Sequence, residues 1–296
     1  MTSGLSILIP VFNWDVNALV EALLVQQADW PGPVEIILLD DGSREKFRIL
    51  NRALAGRLGV LYQELPHNIG RAAIRNRLAA AARHEWLLLL DNDSLLPDNQ
   101  FIIRYAAARH RAPVLIGGTS YAPAPPAEAA LYLRWLYGRE REARAAAVRQ
   151  RAPHAQLTIN NALLHANVLA RFPLDEQLAG YGHEDTRFGQ ALAQAQIPII
   201  HLDNPVLHAG LEPAAEFLHK SEQAVHTLVQ LFRTDQLGDE SRLTQTVRRL
   251  QRLGLVPATR LALNFLAPVL QRNLLSRRPG LRQFDLLKLH WFLTRL

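Results

Sequence analysis

Two carboxylates with one residue between them follow a short apolar run in the first third of the chain. The run is 86–90, and the acids are Asp91 and Asp93. An unbroken apolar run bounded by polar residues is typical of a strand that is covered on both faces, as in parallel sheets. Ligands of such sheets bind beyond the carboxyl ends of the strands, where these acids fall. Hard oxygen ligands at that edge suit Mg²⁺ or Mn²⁺ bridging to a substrate diphosphate, and a simple polar turn is the alternative.

An earlier apolar run brings further acids to the same edge. Residues 34–39 run directly into Asp40 and Asp41, which are followed by Gly42 and Ser43. Asp41 is a candidate ligand contact, whereas Asp40 also suits the start of a helix near residue 44. Strand patterns alternate with helical patterns of 10 to 15 residues, which predicts right-handed βαβ units and a mostly parallel sheet. The predicted strands are 5–11, 34–39, 60–65, 86–91, 114–117, 158–164 and 197–202.

A glycine-punctuated turn later in the chain ends in further acids. Its sequence, 180–185, closes with His183, Glu184 and Asp185, and a helical pattern follows over 186–195. A carboxylate close to a helix N-terminus is stabilised by the exposed backbone amides there. His208 follows the next strand pattern, and it is either a ligand or a buried histidine bonded to a backbone carbonyl.

Taken in order, these segments resemble glycosyltransferase family 2, whose members have the GT-A nucleotide-sugar fold. The resemblance covers about residues 5–210 and rests on the order and spacing of several motifs. They are Ile-Leu-Ile-Pro-Val-Phe-Asn (7–13), Leu-Asp-Asp-Gly-Ser (39–43), His-Asn-Ile-Gly-Arg (67–71), Leu-Asp-Asn-Asp (90–93), Gly-His-Glu-Asp (182–185) and Val-Leu-His (206–208).

The resemblance implies a role for each matching residue on the donor side. Pro10, Phe12 and Asp41 match positions that hold the base and ribose of the nucleotide, and Arg71 is a candidate contact nearby. Asp91 matches the position that contacts the ribose or a metal-bound water.

The resemblance also implies a metal site and a catalytic base. Asp93 matches the direct ligand of Mn²⁺ or Mg²⁺, Asp91 accompanies it, and His208 matches a histidine that completes the metal site in some relatives. Asp185 matches the base that takes the acceptor hydroxyl proton, and Glu184 is the alternative base. The implied fold is α/β, with a mostly parallel sheet flanked by helices and a C-terminal helical extension.

The implied reaction is transfer of a sugar from a nucleoside-diphosphate sugar, a UDP-sugar foremost, to a hydroxyl of a glycan or lipid-linked acceptor. A single base with no enzyme nucleophile predicts inversion at the anomeric carbon. The alternatives are a pyrophosphorylase-like enzyme and a non-catalytic glycan- or nucleic-acid-binding protein on the same fold. A pyrophosphorylase would favour a glycine-rich basic loop after the first strand, where residues 10–13 read Pro-Val-Phe-Asn instead.

The composition divides the chain into a body and a basic tail. Residues 241–296 carry eleven Lys and Arg against one acid, although the whole chain of 296 residues has a net charge of only +6. The tail fits a solvated helical face, an anionic membrane surface or, less well, nucleic acid, since no base-reading motif accompanies it. We expect a nucleotide-binding half over 1–98, an acceptor-binding half over 99–212 and a basic helical extension over 213–296.

The chain has no Cys, no visible signal peptide and no apolar window long enough to span a membrane. These features predict a cytoplasmic protein, peripheral on the inner face of the membrane if the tail binds lipid. Residues 127–151 have a helical pattern in which Trp135, Tyr137 and Arg139 fit either packing or sugar binding.

Overall fold

The computed structural model describes residues 3–177, 182–234 and 241–296. Contacts group these residues into two compact units. The first unit contains 3–122, 142–177 and 184–210, and the second contains 123–141, 182–183, 211–234 and 241–296. Gly180 and Tyr181 of the predicted turn lie outside the described residues.

Among the described residues, each of the seven predicted runs forms a strand, and three further short strands have no predicted counterpart. In chain order they are β1 (Leu5–Val11), β2 (Val34–Asp40), β3 (Val60–Glu64), β4 (Trp86–Leu90), β5 (Ser94–Leu95), β6 (Val114–Ile116), β7 (Thr119–Ser120), β8 (Asn161–His165), β9 (Ile199–His201) and β10 (Val206–His208). In the described part of the chain, the main sheet has the order β3-β2-β1-β4-β8-β6-β9. β8 runs antiparallel to β4 and β6, and the other paired neighbours are parallel. The prediction of a mostly parallel sheet is confirmed.

Helices cover both faces of this sheet and form most of the second unit. They are α1 (Asn17–Gln26), α2 (Glu45–Arg52), α3 (Arg71–Ala81), α4 (Phe101–Ala108), α5 (Tyr132–Tyr137), α6 (Ala146–Arg149), α7 (Ala166–Arg171), α8 (Glu184–Gln194), α9 (Ala214–Arg233), α10 (Arg242–Arg252), α11 (Val256–Leu274) and α12 (Leu281–Arg295). Short 3₁₀ turns lie at Gln27–Asp29, Ala53–Gly56 and Ala129–Leu131.

The sheet is buried on both faces because successive residues of its strands pack into two different apolar cores, one on each face. On β1, Ile7 and Ile9 pack with residues of α1 and α4, whereas Leu8 packs with Ile74 of α3 and Leu192 of α8. A strand that must bury both faces has no polar alternation, which is why the central strands are unbroken apolar runs. The site-forming acids begin where these runs end.

The helix predicted over 127–151 is not continuous in the structure. The segment contains α5, a π-helical stretch at Gly138–Glu142 and the short helix α6. Arg149 at the end of α6 is buried and donates to the carbonyl oxygens of Ile116, Gly117 and Leu202. Its guanidinium satisfies backbone groups of the sheet edge, so the chain enters the first unit there and does not continue as a surface helix.

The second unit has its own apolar core, built from α5 and α9 to α12. Tyr137 packs against Phe217 and Phe284, and the guanidinium of Arg139 lies 5.6 Å from the Trp135 ring centroid. These contacts support the packing interpretation of Trp135, Tyr137 and Arg139. In the described part of the chain, no helix is both long enough and apolar enough to cross a membrane.

Candidate active site

The loops that follow β1, β2 and β4 are joined to one another by hydrogen bonds. The Asn13 amide donates to Ser43 Oγ at 2.8 Å, and the Arg44 amide donates to Asn13 Oδ1 at 2.9 Å. Asn92, between the paired acids, donates from Nδ2 to the Phe12 carbonyl at 3.2 Å. Pro10 lies in the last part of β1, and Phe12 directly after it is exposed. The predicted nucleotide-binding residues therefore lie around one joined set of loops.

Asp41 is held by the loop that follows β3. Its Oδ1 accepts a hydrogen bond from the Ile69 amide at 2.7 Å, and burial raises the pKa of its carboxyl. Gly42 makes this approach possible. Its φ is +77°, and a Cβ there would lie 2.7 Å from the Asn68 amide nitrogen and the His67 carbonyl carbon. Asp41 thus has a fixed position, with its neighbouring Asp40 accepting from the Ser43 amide at 2.7 Å.

Asp91 is paired with an arginine that the sequence prediction did not include. Arg75 on α3 is buried and donates to Asp91 Oδ1 in a salt bridge. Burial of Asp91 opposes its ionisation, but the charges of Arg75 and Arg71 lower the pKa of its carboxyl. The guanidinium engages Oδ1 of Asp91, and the role of Asp91 beside Asp93 at the metal stays a prediction.

Arg71 lies one helical turn before Arg75 and contacts the next acid of the site. Its Nε donates to Glu184 Oε1 at 2.5 Å. Although burial of Glu184 opposes ionisation, the nearby arginines lower the pKa of its carboxyl, with Arg71 contributing most. A row of charged side chains thus links α3 and the end of β4 to the first turn of α8. We call it the charged row, and it consists of Asp91, Arg75, Arg71, Glu184 and Asp185.

Asp185 behaves differently from the other carboxylates of the charged row. Burial, followed by the charge of Glu184, raises the pKa of Asp185 to about 7. Its Oδ1 is buried and has no hydrogen-bond partner among the described residues. Two guanidinium groups already balance Asp91 and Glu184, so a third negative charge is disfavoured. A carboxyl with this pKa can accept a proton near neutral pH, which favours Asp185 over Glu184 as the base.

Asp93 and His208 are brought together by a small sheet. In the described residues this sheet has the order β5-β10-β7, and its register pairs Ser94 with His208. The Ala209 amide donates to the Asp93 carbonyl at 2.9 Å, and His208 Nδ1 lies 3.3 Å from Asp93 Oδ2. Gly210 leaves room for the Asp93 side chain, because a Cβ at residue 210 would lie 2.8 Å from Asp93 Cγ.

Asp93 and His208 offer ligand atoms that suit a divalent cation. Asp93 Oδ1 is buried and has no hydrogen-bond partner among the described residues, which leaves a hard oxygen ligand beside an imidazole. Across those same residues, no group of three His, Asp or Glu side chains is arranged to hold a metal ion. Of the predicted set of Asp91, Asp93 and His208, the structure brings Asp93 and His208 into contact, and further ligands would come from substrate and water.

A family model described as glycosyl transferase family 2 matches residues 6–159, more than half of the chain. The chain belongs to this family. The matched segment includes β1 to β7 and both acids of the Asp91–Asp93 pair. Family membership favours glycosyl transfer over the pyrophosphorylase-like and non-catalytic alternatives.

Among sequence relatives, a dodecaprenyl-phosphate galacturonate synthase from Rhizobium johnstonii is 32% identical over 93 residues. The match covers 30% of this chain and 28% of that protein, so the chain corresponds to less than a third of its length.

Solved structures of glycosyltransferases share the fold at low sequence identity. A mannosyltransferase from Pyrobaculum calidifontis in complex with GDP-Man and Mn²⁺ has a TM-score of 0.57 at 15% identity, covering 79% of this chain and 65% of that one. TarS from S. aureus in complex with UDP has a TM-score of 0.51 at 16% identity, with 78% and 72% covered. A glucosyl-3-phosphoglycerate synthase from Mycobacterium tuberculosis with Mn²⁺ and UDP has a TM-score of 0.51 at 17% identity, and the match covers 77% of this chain and 79% of that one.

Two residues of this family-2 site were missed from the sequence. Arg75 follows Arg71 at the i, i+4 spacing that places both on one helix face, which is a readable signal. Gly210 carries no local signal, since its importance comes from the distant Asp93. Asn160 donates to Thr119 Oγ1, and Asn161 donates to the carbonyl oxygens of Gly118 and Asn204, so both side-chain amides are engaged within the fold.

Proposed function

We propose that this protein is a metal-dependent inverting glycosyltransferase that moves a sugar from a nucleoside-diphosphate sugar, foremost a UDP-sugar, to a lipid-linked or glycan acceptor. The observation that carries the proposal is the state of Asp185. A carboxyl at the first turn of α8 whose Oδ1 is buried without a hydrogen-bond partner among the described residues, and whose pKa is raised to about 7, is suited to remove a proton from an acceptor hydroxyl.

The donor side of the proposal rests on the joined loops after β1, β2 and β4. The exposed Phe12 ring offers an apolar face to a base, and Asp41 is a fixed acceptor for base or ribose hydrogen-bond donors. Arg71 is half exposed at the start of α3, where a guanidinium can contact a phosphate. The names of three structural neighbours include GDP-Man or UDP, which supports a nucleoside-diphosphate donor here.

Asp93 and His208 are the residues that would hold Mn²⁺ or Mg²⁺. When bound, the cation neutralises charge that develops on the leaving diphosphate. Asp185 deprotonates the acceptor, whose oxygen then attacks the anomeric carbon as the bond to the diphosphate breaks. Because a single displacement occurs and no enzyme nucleophile takes part, the anomeric configuration inverts.

The acceptor group can alternatively be a lipid phosphate in place of a hydroxyl. The name of the Rhizobium relative includes dodecaprenyl phosphate, and the basic C-terminal helices of this chain favour an anionic, lipid-linked substrate. A phosphate oxygen is already ionised near pH 7 and needs no base. Transfer to a hydroxyl should therefore require Asp185, whereas transfer to a phosphate should survive its loss. In either version we place the activity at the inner face of the cytoplasmic membrane.

The deciding experiment is calorimetric titration with UDP, GDP, CDP and dTDP, each with and without Mn²⁺. We expect one nucleotide to bind in a Mn²⁺-dependent manner, with Asp93→Ala losing the metal-dependent part and Asp185→Asn retaining it. The bound nucleotide then defines the sugar donors for transfer assays, in which NMR of the product reports its anomeric configuration. A folded protein that binds none of the four, with or without metal, would contradict the proposal.

A further inference from the structure

Helix α11 of the second unit is apolar on two opposite faces. Leu263, Leu270 and Leu274 are buried in the core of that unit. The opposite face carries Leu261, Phe265 and Val269 at four-residue intervals, and these side chains are 59%, 76% and 64% exposed. Side chains four residues apart line one side of a helix, so the three form a continuous stripe, which we call the α11 stripe.

The α11 stripe is not explained by the packing of the helix. Helices that cover a core normally present polar residues to the opposite side. Here Leu266 and Leu255, both exposed, enlarge the apolar area next to the stripe and at the start of the helix. A contiguous exposed apolar patch of this kind marks a surface that binds a partner.

The sequence that contains α11 carries only positive charge. Between residues 241 and 284 the sequence contains no Asp or Glu. Arg260 and Arg272 lie near the two ends of the stripe, and both are exposed. In the part of the chain that the structure describes, neither has a carboxylate within salt-bridge distance. Arg277 and Arg278 follow immediately after the helix and are also exposed.

This pattern selects one occupant. A second copy of the chain docked through the same stripe would bring arginines of like charge together, which opposes association. A neutral apolar partner leaves the arginines without counterions. An anionic bilayer accepts the apolar stripe below its headgroups and the guanidinium groups among its phosphates.

We propose that α11 lies in the interface of an anionic membrane, with Leu261, Phe265 and Val269 inserted and Arg260 and Arg272 at the headgroups. The inference extends the proposed lipid-linked acceptor, since it gives the enzyme a way to reach one. It does not require that acceptor, because vesicle binding is measured without donor, metal or transfer.

The absence of cysteine permits a site-specific test on the full chain. Val269→Cys, labelled with an environment-sensitive fluorophore, is mixed with vesicles of phosphatidylglycerol and phosphatidylcholine, or of phosphatidylcholine alone. We expect a blue shift and brighter emission with the anionic vesicles. Leu58→Cys, at a position 97% exposed in the first unit, is the matched control and should not respond. Equal responses at both positions, or no response at residue 269, would overturn the proposal.

Substitutions in the stripe provide an independent check by vesicle co-sedimentation. Leu261→Ser with Phe265→Ser should weaken binding by about tenfold or more, because the inserted apolar area is lost. Leu58→Ser should bind as the unaltered protein does. Arg260→Gln with Arg272→Gln should remove the preference for anionic vesicles.

Two further measurements separate the other outcomes. Sedimentation velocity without lipid should show the same species for the unaltered protein and the stripe variant; a dimer that the variant loses would instead identify a second copy as the occupant and overturn the proposal. Nucleotide titration of the stripe variant should be unchanged, so a failure of membrane binding is distinguishable from a failure of the proposed transferase activity.

Discussion

His208 Nδ1 lies 3.3 Å from Asp93 Oδ2, although the two residues belong to distant parts of the chain. The contact is set by backbone pairing, because β10 and β5 place His208 opposite Ser94, directly after Asp93. The small sheet therefore positions the proposed metal ligands, while the main sheet positions Asp41 and Asp91. Changes to either sheet should affect different steps of the reaction.

Gly210→Ala tests the position of Asp93. A Cβ at residue 210 would displace the Asp93 carboxylate, which is the movable partner in the contact. We expect metal-dependent nucleotide binding to weaken by about 10- to 100-fold, as for other groups that orient metal ligands. The melting temperature should also fall, because the added Cβ would lie 2.9 Å from Asp93 Cβ, which cannot move without a shift of its backbone. Calorimetric titration with and without Mn²⁺ measures the first effect and thermal unfolding the second.

Gly56→Ala is the control for this variant, since a Cβ there meets nothing within 4 Å. Its Mn²⁺-dependent nucleotide binding should equal that of the unaltered protein. If Gly210→Ala binds equally well, Asp93 does not need the observed position and the proposed metal pair is wrong.

Glu184→Gln should shift the pH dependence of transfer. The charge of Glu184, after burial, raises the pKa of Asp185, and the glutamine removes that charge while keeping an oxygen for Arg71. The base form of Asp185 is then reached at lower pH. In the unaltered protein we expect kcat/KM to rise with pH through about 7, and in the variant the same rise should occur at lower pH.

Asp185→Asn is the companion variant, and it should remove the pH-dependent rise together with transfer to a hydroxyl. Nucleotide binding should be retained in both variants. A pH profile of Glu184→Gln identical to that of the unaltered protein would show that Glu184 does not influence the base.

Gly42→Ala should destabilise the protein and weaken nucleotide binding together. The substitution combines an unfavourable positive φ with a clash against backbone atoms of His67 and Asn68. These atoms cannot move without displacing the loop that donates to Asp41. Gly254→Ala separates the two effects, because its φ is +67° but a Cβ there meets nothing within 4 Å.

Strain alone costs about 1–2 kcal/mol, so Gly254→Ala should lose roughly that amount of unfolding free energy and none of the nucleotide affinity. Gly42→Ala should lose more of both. Chemical denaturation and nucleotide titration on the two variants measure these differences, and equal losses would rule out a role for the loop contact.

The sequence predicts directly those site residues that follow strands with a clear apolar pattern. The apolar runs of β2 and β4 predict buried strands, and the acids Asp41, Asp91 and Asp93 are predicted at their carboxyl ends because chain connectivity places them there. The pairing of His208 with Asp93 depends on strands of two or three residues, which are too short for any periodic signal. Only the family resemblance predicts it.

The remaining errors arise where a distant contact overrides local preference. Residues 127–151 are rich in Ala, Leu and Arg, which favour helix, but Arg149 is turned into the protein to satisfy backbone carbonyls. Likewise, no local pattern predicts that Arg75 pairs with Asp91. Both cases involve a buried arginine whose partners are not its neighbours in the sequence.

The Arg75–Asp91 pair gives a final prediction, on stability. Arg75→Met would leave the Asp91 carboxylate without its main counterion, and breaking a buried pair by removing one partner is strongly destabilising. We expect a loss of about 3 kcal/mol, at the lower end of the usual range, because the Asp91 side chain is 23% exposed. The double variant Arg75→Met, Asp91→Asn should be less destabilised than Arg75→Met, since no unpaired charge remains. Urea denaturation of the single and double variants measures the coupling.

The effect should also depend on pH in a defined direction. The pKa of Asp91 is lowered in the folded protein, so the pair contributes stability above the ordinary pKa of an aspartate, about 3.9, and loses it as the pH falls. The difference between the unaltered protein and Arg75→Met should therefore be largest near pH 7 and shrink as the pH falls below about 4. A difference that is constant over this range would mean that Arg75 stabilises the fold by packing and not by its charge.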